Sequence, residues 1–140
     1  MEINYWAVLV AALANFVIGF LFHGPLFGKT WMKLANVHPT GNEKFSDMIP
    51  QMIKNYIMNV VAAYVLAVMY LFASTSSVAG GGSAVACGMT IGFFLWLGFV
   101  VTSSSMEVIW MKRSVKLWLF EIVASLVSIL AMGAIIGAWR

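Results

Sequence analysis

Apolar residues run almost unbroken over Ile3–His23, Met52–Phe72, Ala84–Met106 and Leu117–Trp139, and polar positions collect between the runs. Each run is close to the ~20 residues that carry an α-helix across a hydrocarbon core of about 30 Å. The pattern predicts an all-α integral membrane bundle of four transmembrane helices, built as one domain over residues 1–140. Ala12-Leu13-Ala14 offers a small-x-small cleavage pattern. However, Glu2 replaces the expected positive start and the apolar run continues to Phe22, so the first segment reads as an uncleaved span.

The connections carry turn chemistry. Gly24-Pro25 ends the first span, because proline cannot continue the hydrogen-bond ladder. Phe27, Trp31 and Leu34 then share one side at helical spacing, with Lys29 and Lys33 on the other. This predicts a short interfacial helix anchored by Phe27, Trp31 and Leu34; a plain loop whose lysines only set topology fits the same residues. His38-Pro39 and Gly41-Asn42 mark a turn before the second span, and Gly80-Gly81-Gly82 marks one before the third.

Within the runs, small and polar residues fall on faces. At 100° per residue, Ala11, Asn15, Gly19 and His23 share a sector of the first span, and Asn55, Asn59, Ala62 and Ala63 one of the second. Gly88, Gly92, Trp96, Ser103 and Glu107 align on the third. Glu121, Ser125 and Ser128 form a stripe on the fourth, with Gly133 and Gly137 displaced from it. Membrane helices pack through small residues and cross-helix polar bonds, so these faces predict a bundle interior. Gly88, Gly92, Gly133 and Gly137 are the packing candidates. The displaced Gly133-x-x-x-Gly137 pair points to a second partner for the last helix, a neighbouring subunit. Trp96 falls near mid-span, where its indole N–H needs an acceptor.

Composition and charge sharpen the picture. Sixty-two per cent of the residues are hydrophobic and 9% charged, with a mean hydropathy of +0.94, far from the roughly 25% charged residues of soluble domains. Seven of the eight basic residues (Lys29, Lys33, Lys44, Lys54, Lys112, Arg113 and Lys116) flank loops 1–2 and 3–4, and only Arg140 lies at the other end. Lys and Arg are retained on the cytoplasmic side, which predicts both termini outside and those two loops inside a bacterial inner membrane. The same distribution argues against nucleic acid as a partner, because the charges hug segment ends and line no face.

Five residues form a candidate polar cluster near the inner ends of the spans: His23, Asn55, Asn59, Glu107 and Glu121. An intramembrane ionisable residue is a functional hypothesis in itself, and a Glu–His pair can take up and release a proton. Near an interface a glutamate can also snorkel to water or pair with Lys112, Arg113 or Lys116. That plain role suits Glu107 better than Glu121. The remaining inventory offers little chemistry. One cysteine, Cys87, excludes an intrachain disulfide and a cysteine-cluster zinc site. Two histidines make no metal site alone, and Ser103-Ser104-Ser105 lacks the base of a nucleophilic centre. No cofactor and no catalytic residue is expected.

The strings Gly-Pro-Leu-Phe-Gly-Lys-Thr-Trp-Met-Lys (24–33), Leu-Trp-Leu-Gly-Phe (95–99), Lys-Leu-Trp-Leu (116–119) and Met-Gly-Ala-Ile-Ile-Gly-Ala-Trp (132–139) carry a resemblance over essentially the whole chain. The chain resembles the bacterial membrane family catalogued as domain of unknown function 1761. The resemblance implies a small bacterial membrane protein of about four helices with no assigned activity. His23 and Glu121 depart from the family's pattern, at positions where the resemblance implies an aromatic residue and a small or less acidic one. Two functional expectations lead, ahead of an intramembrane enzyme or cofactor binder that rests on the same few polar groups. One is a non-catalytic, self-associating or accessory subunit of a larger membrane complex. The other is a small oligomeric transporter or channel for protons, cations or a small solute, using the inner polar cluster.

Overall fold

The computed structural model describes residues 2–36, 45–75 and 82–139. Asn4 caps the first helix, α1 (Tyr5–His23), its side-chain oxygen accepting from the N–H groups of Trp6 and Ala7 at 3.1 and 3.3 Å. Such a cap satisfies N–H groups that have no partner inside the helix. Gly24-Pro25 breaks the chain, and α2 (Gly28–Ala35) follows. Gly28 is buried where a side chain would press to 3.2 Å from the carbonyl oxygen of His23. This close corner turns α2 back against the end of α1. The helix stops at Asn36, whose φ of 56° is the left-handed conformation that asparagine tolerates.

The second span starts earlier than its apolar run. Helix α3 covers Phe45–Ser74 and carries Pro50 inside it, with the membrane-length part at Met48–Ser74. The predicted turn at 38–42 lies outside the described residues, as does most of the glycine-bearing connection that follows α3. Ser83 caps α4 (Ala84–Leu95), which passes through a π-helical stretch at Trp96–Val101 into α5 (Thr102–Ile109). The widened turn precedes four hydroxyl residues. Thr102, Ser103, Ser104 and Ser105 donate to carbonyls of the turn before, Gly98 and Phe99 among them. Such bonds compete with the backbone ladder and loosen it. Ser114 then caps α6 (Val115–Ala138). Four rods, Tyr5–His23, Met48–Ser74, Ala84–Ile109 and Val115–Ala138, are long and apolar enough to cross a membrane. They make a multi-pass, all-helical membrane bundle.

Helix α6 is the hub. It packs along both α1 and α4, while α3 lies on α1 and touches α4 and α6. Among the described residues α1 and α4 make no contact and sit diagonally across the bundle. The main cluster of the core lies in one half, with Ile122 and Ala124 of α6 the buried apolar residues beside the other. Its members are Val8, Ala11 and Ala12 of α1, Ala63, Leu66, Ala67 and Tyr70 of α3, Cys87 of α4, and Met132 and Ile136 of α6. No residue from Leu13 to His23 is buried, and none of the described side chains of α3 before Ala63. The bundle is tight where the chain termini lie and looser where the basic residues lie.

Small residues explain the tight half. A side chain on Gly88 or on Gly133 would collide with the other's carbonyl oxygen, and one on Gly137 with that of Ala84. A side chain on Gly92 would come within 3.0 Å of the Ile129 carbonyl. Backbone-to-backbone approach of this kind substitutes for the hydrophobic effect, which lipid tails do not supply. The result corrects the expectation for Gly133 and Gly137. Both meet α4 of the same chain, so they supply no argument for a neighbouring subunit. Large apolar side chains such as Leu13, Val17, Val61, Val65, Val123 and Val127 face outward, as a lipid-solvated bundle requires.

Candidate functional site

In the looser half, two ionisable residues from non-adjacent spans meet. The Nε2 atom of His23 lies 3.1 and 3.0 Å from the two carboxylate oxygens of Glu121. The other ring nitrogen, Nδ1, lies 2.8 Å from the carbonyl oxygen of Gly19, one turn back on α1. A carbonyl only accepts, so Nδ1 carries hydrogen and the tautomer is fixed. Nε2 and Glu121 therefore share one proton. The pair is an imidazolium against a carboxylate, or a neutral imidazole accepting from a carboxylic acid. Removing the proton sets a lone pair against a carboxylate, and adding a second sets an N–H against an O–H. Either change weakens the link between α1 and α6.

Trp31 completes the constellation. Its indole N–H donates to one Glu121 oxygen at 2.9 Å, from α2. The Gly24–Gly28 corner makes this reach feasible by folding α2 against the end of α1. Trp31 thus faces the bundle and holds a carboxylate, which goes beyond a lipid anchor. Phe27 packs on Phe22 and Phe120, with ring centroids 5.3 and 6.2 Å away, and Leu34 is half-buried on the same helix. His23 itself stands edge-on to Trp31 and Phe120 at 5.2 and 5.8 Å. Aromatic rings thus line one side of the pair, whose side chains remain 33% and 43% exposed.

The other cluster candidates divide. Asn59 accepts from the side-chain N–H of Asn15 at 3.1 Å, joining α3 to α1. Asn55 lines the same space, a cavity of about 520 Å³ between α1 and α3 that also reaches His23. Glu107 stands apart. It pairs with Arg113 at 3.0 Å across the α5–α6 turn, both side chains about half exposed. Another cavity of about 470 Å³ is also lined by His23, with Gly24, Lys29 and Thr30. His23 thus borders both spaces and Glu121 at once.

The sequence puts Asn15 on the small and polar face of the first span and Trp31 among the interfacial anchors, and joins neither to the cluster. Asn15 shares its helix face with His23, two turns away, and that periodicity was the available signal. Nothing local pairs Trp31 with Glu121, 90 positions away. The mid-span Trp96 finds acceptors in the Ile122 carbonyl at 2.9 Å and the Ser125 hydroxyl at 3.1 Å. Ser104 likewise accepts from the Trp118 indole at 2.9 Å. Those hydroxyls serve helix packing. Among the described residues no group of three or more His, Cys, Asp or Glu side chains gathers to hold a metal ion.

The chain belongs to the family described as protein of unknown function (DUF1761), whose profile matches residues 6–137. No curated protein and no solved structure matches it. The match covers all four spans and both members of the His23–Glu121 pair.

Proposed function

We propose that this chain is a small membrane carrier whose transport step is coupled to the proton held between His23 and Glu121. The observation that carries the reading is the contact of Nε2 with both Glu121 oxygens, with Nδ1 committed to the Gly19 carbonyl. An ionisable pair within membrane spans is costly unless it is used or fully paired. This one shares its proton across α1 and α6, two helices whose separation would change access to the bundle. Its proton content and the helix geometry therefore depend on each other.

The shape of the bundle supports the same reading. Small-residue packing holds the half nearer the termini, where a cavity of about 260 Å³ remains beside Asn4 and Trp139, while a larger one of about 520 Å³, carrying three carboxamides, lies between α1 and α3 in the other half. A carrier needs a site reached from one side at a time. We place the open half on the cytoplasmic side, with both termini outside, from the positive charge of loops 1–2 and 3–4. Four helices enclose little space, so a second copy is the natural completion of a path. An accessory role in a larger complex keeps less support, and the glycine face gives no argument for assembly, because α4 fills it.

The test is proton movement in reconstituted vesicles, followed with an internal pH-sensitive dye after an imposed gradient. The wild-type protein should dissipate the gradient faster than empty vesicles do, and Glu121→Gln should return it to the empty-vesicle rate while keeping its helical content. Equal rates for wild type, Glu121→Gln and empty vesicles overturn the reading.

A further inference from the structure

The cavity between α1 and α3 holds more hydrogen-bonding capacity than the protein uses. Asn15 and Asn59 spend one donor and one acceptor on each other. Among the described residues, the Asn15 oxygen, the Asn59 amide nitrogen and both ends of Asn55 make no side-chain hydrogen bond. Asn15 lies eight residues before the end of α1, roughly 12 Å along the helix at 1.5 Å per residue. At that depth an unsatisfied amide faces hydrocarbon, where it costs free energy unless a partner arrives.

The partner's chemistry can be read from the walls. No Lys, Arg, Asp or Glu lines this cavity, and its one ionisable wall residue, His23, is paired with Glu121, so no unpaired charge is there to balance a phosphate or a free cation. Carboxamides both donate and accept, which suits a neutral hydroxyl, carbonyl or amide. Phe16 and Met52 form part of the wall, and both also line an adjoining cavity of about 390 Å³. That second space is apolar, set between Leu13 of α1 and Ile49, Ile53 and Ile57 of α3. A compartment with three carboxamides in a mainly apolar wall thus adjoins an apolar trough through two shared side chains, one of them a methionine that adapts its shape readily. Both volumes fall within the usual range for small-molecule sites.

We propose that this double cavity binds a single-tailed neutral amphiphile, its uncharged head on Asn15, Asn55 and Asn59 and its apolar tail along Leu13, Ile53 and Ile57. The inference deepens the carrier reading by naming its substrate class, and binding is measured separately from flux so that the two can fail independently. A diacyl phospholipid is the competing occupant. It shares the apolar tail but brings a charged head that the amide cluster does not neutralise.

The experiment is photo-crosslinking of the full chain in phosphatidylcholine vesicles, using dodecanol that carries a diazirine, with sites mapped by mass spectrometry. A phosphatidylcholine carrying the same diazirine is the second arm, and Val123 and Val127 on the outer face of α6 report ordinary lipid contact. The alcohol should label Phe16 and Ile49–Ile57 in excess over α6, and unlabelled dodecanol should compete that excess away. Asn55→Leu should weaken the competition about fivefold, the factor that one lost hydrogen bond carries. Asn55→Gln should restore most of it. Asn55 holds no other described side chain, so the leucine variant keeps the bundle folded. Glu121→Gln should lose flux yet keep the labelling, and if flux is absent throughout, the labelling stands as a binding site on its own. A groove-to-α6 ratio equal for the two probes, no labelling of the groove, or competition indifferent to Asn55→Leu overturns the proposal.

Discussion

Gly88 and Gly133 face each other with no room for a side chain on either, each lying where a methyl group would meet the other's carbonyl oxygen. This contact brings α4 and α6 to backbone distance and sets the tight half of the bundle. Gly137 repeats it one turn further along, against Ala84. The contact is internal to one chain, which decides what its loss would do.

Gly133→Ala should destabilise the folded bundle by about 1–3 kcal/mol, the usual cost of overpacking a closed interface. Gly133→Leu should prevent the α4–α6 contact altogether. Unfolding in mixed detergent micelles measures the cost, and native mass spectrometry reports copy number alongside it. Lost assembly with unchanged monomer stability would show that the glycine meets another subunit.

The Trp31–Glu121 bond predicts a coupling between residues on different helices. Trp31→Phe keeps an aromatic ring on α2 but removes the indole donor. It should cost about 1 kcal/mol of stability, in the range of a net hydrogen bond. The same change made in a Glu121→Leu background should cost clearly less, because no acceptor then remains at position 121. A double-mutant cycle on unfolding free energies measures the difference. Additive costs would mean that Trp31 contributes through packing alone.

The four spans were legible because hydrophobic run length is a one-dimensional property, and a membrane demands it. Their ends were less so. Phe45–Gln51 continues α3 beyond its apolar run, since a helix can extend past the hydrocarbon core once water satisfies its outer face. The helix faces were also legible, and the mid-span Trp96 found the acceptor that its position required. The partner of each face was not. Gly133 and Gly137 stand off the Glu121 stripe because α6 is the hub and packs α1 and α4 on two sides. A helical projection gives both faces without saying which helix covers them. The His23–Glu121 pair was within reach as two ionisable groups at one level. The third member, Trp31, depended on the Gly24–Gly28 corner, a tertiary feature with no periodicity.

Glu107 is about as exposed as Glu121, 48% against 43%, and differs from it in bridging one turn rather than two spans. Its bond to Arg113 bridges a turn, with both side chains about half exposed. Ion pairs of that kind contribute about 0–1 kcal/mol. Glu107→Gln should therefore leave both gradient dissipation and stability within about 1 kcal/mol of wild type. Flux lost in Glu107→Gln as in Glu121→Gln would extend the proton site to the α5–α6 turn and contradict its confinement to His23 and Glu121.

The orientation can be tested with one thiol at a time. Cys87 is the sole cysteine and is buried in α4, so replacing it with alanine gives a background with no thiol. Gly82 and Met111 are exposed at opposite ends of the α4–α5 rod. The lysines and arginine flanking Met111 should hold that end in the cytoplasm, because retention of positive loops sets topology. In intact bacterial cells expressing the protein, a membrane-impermeant maleimide should therefore label Gly82→Cys. Met111→Cys should react only after the membrane is opened. The reverse pattern would turn the bundle over and give the His23–Glu121 pair access from the outside, with the proton entering the proposed carrier from that face.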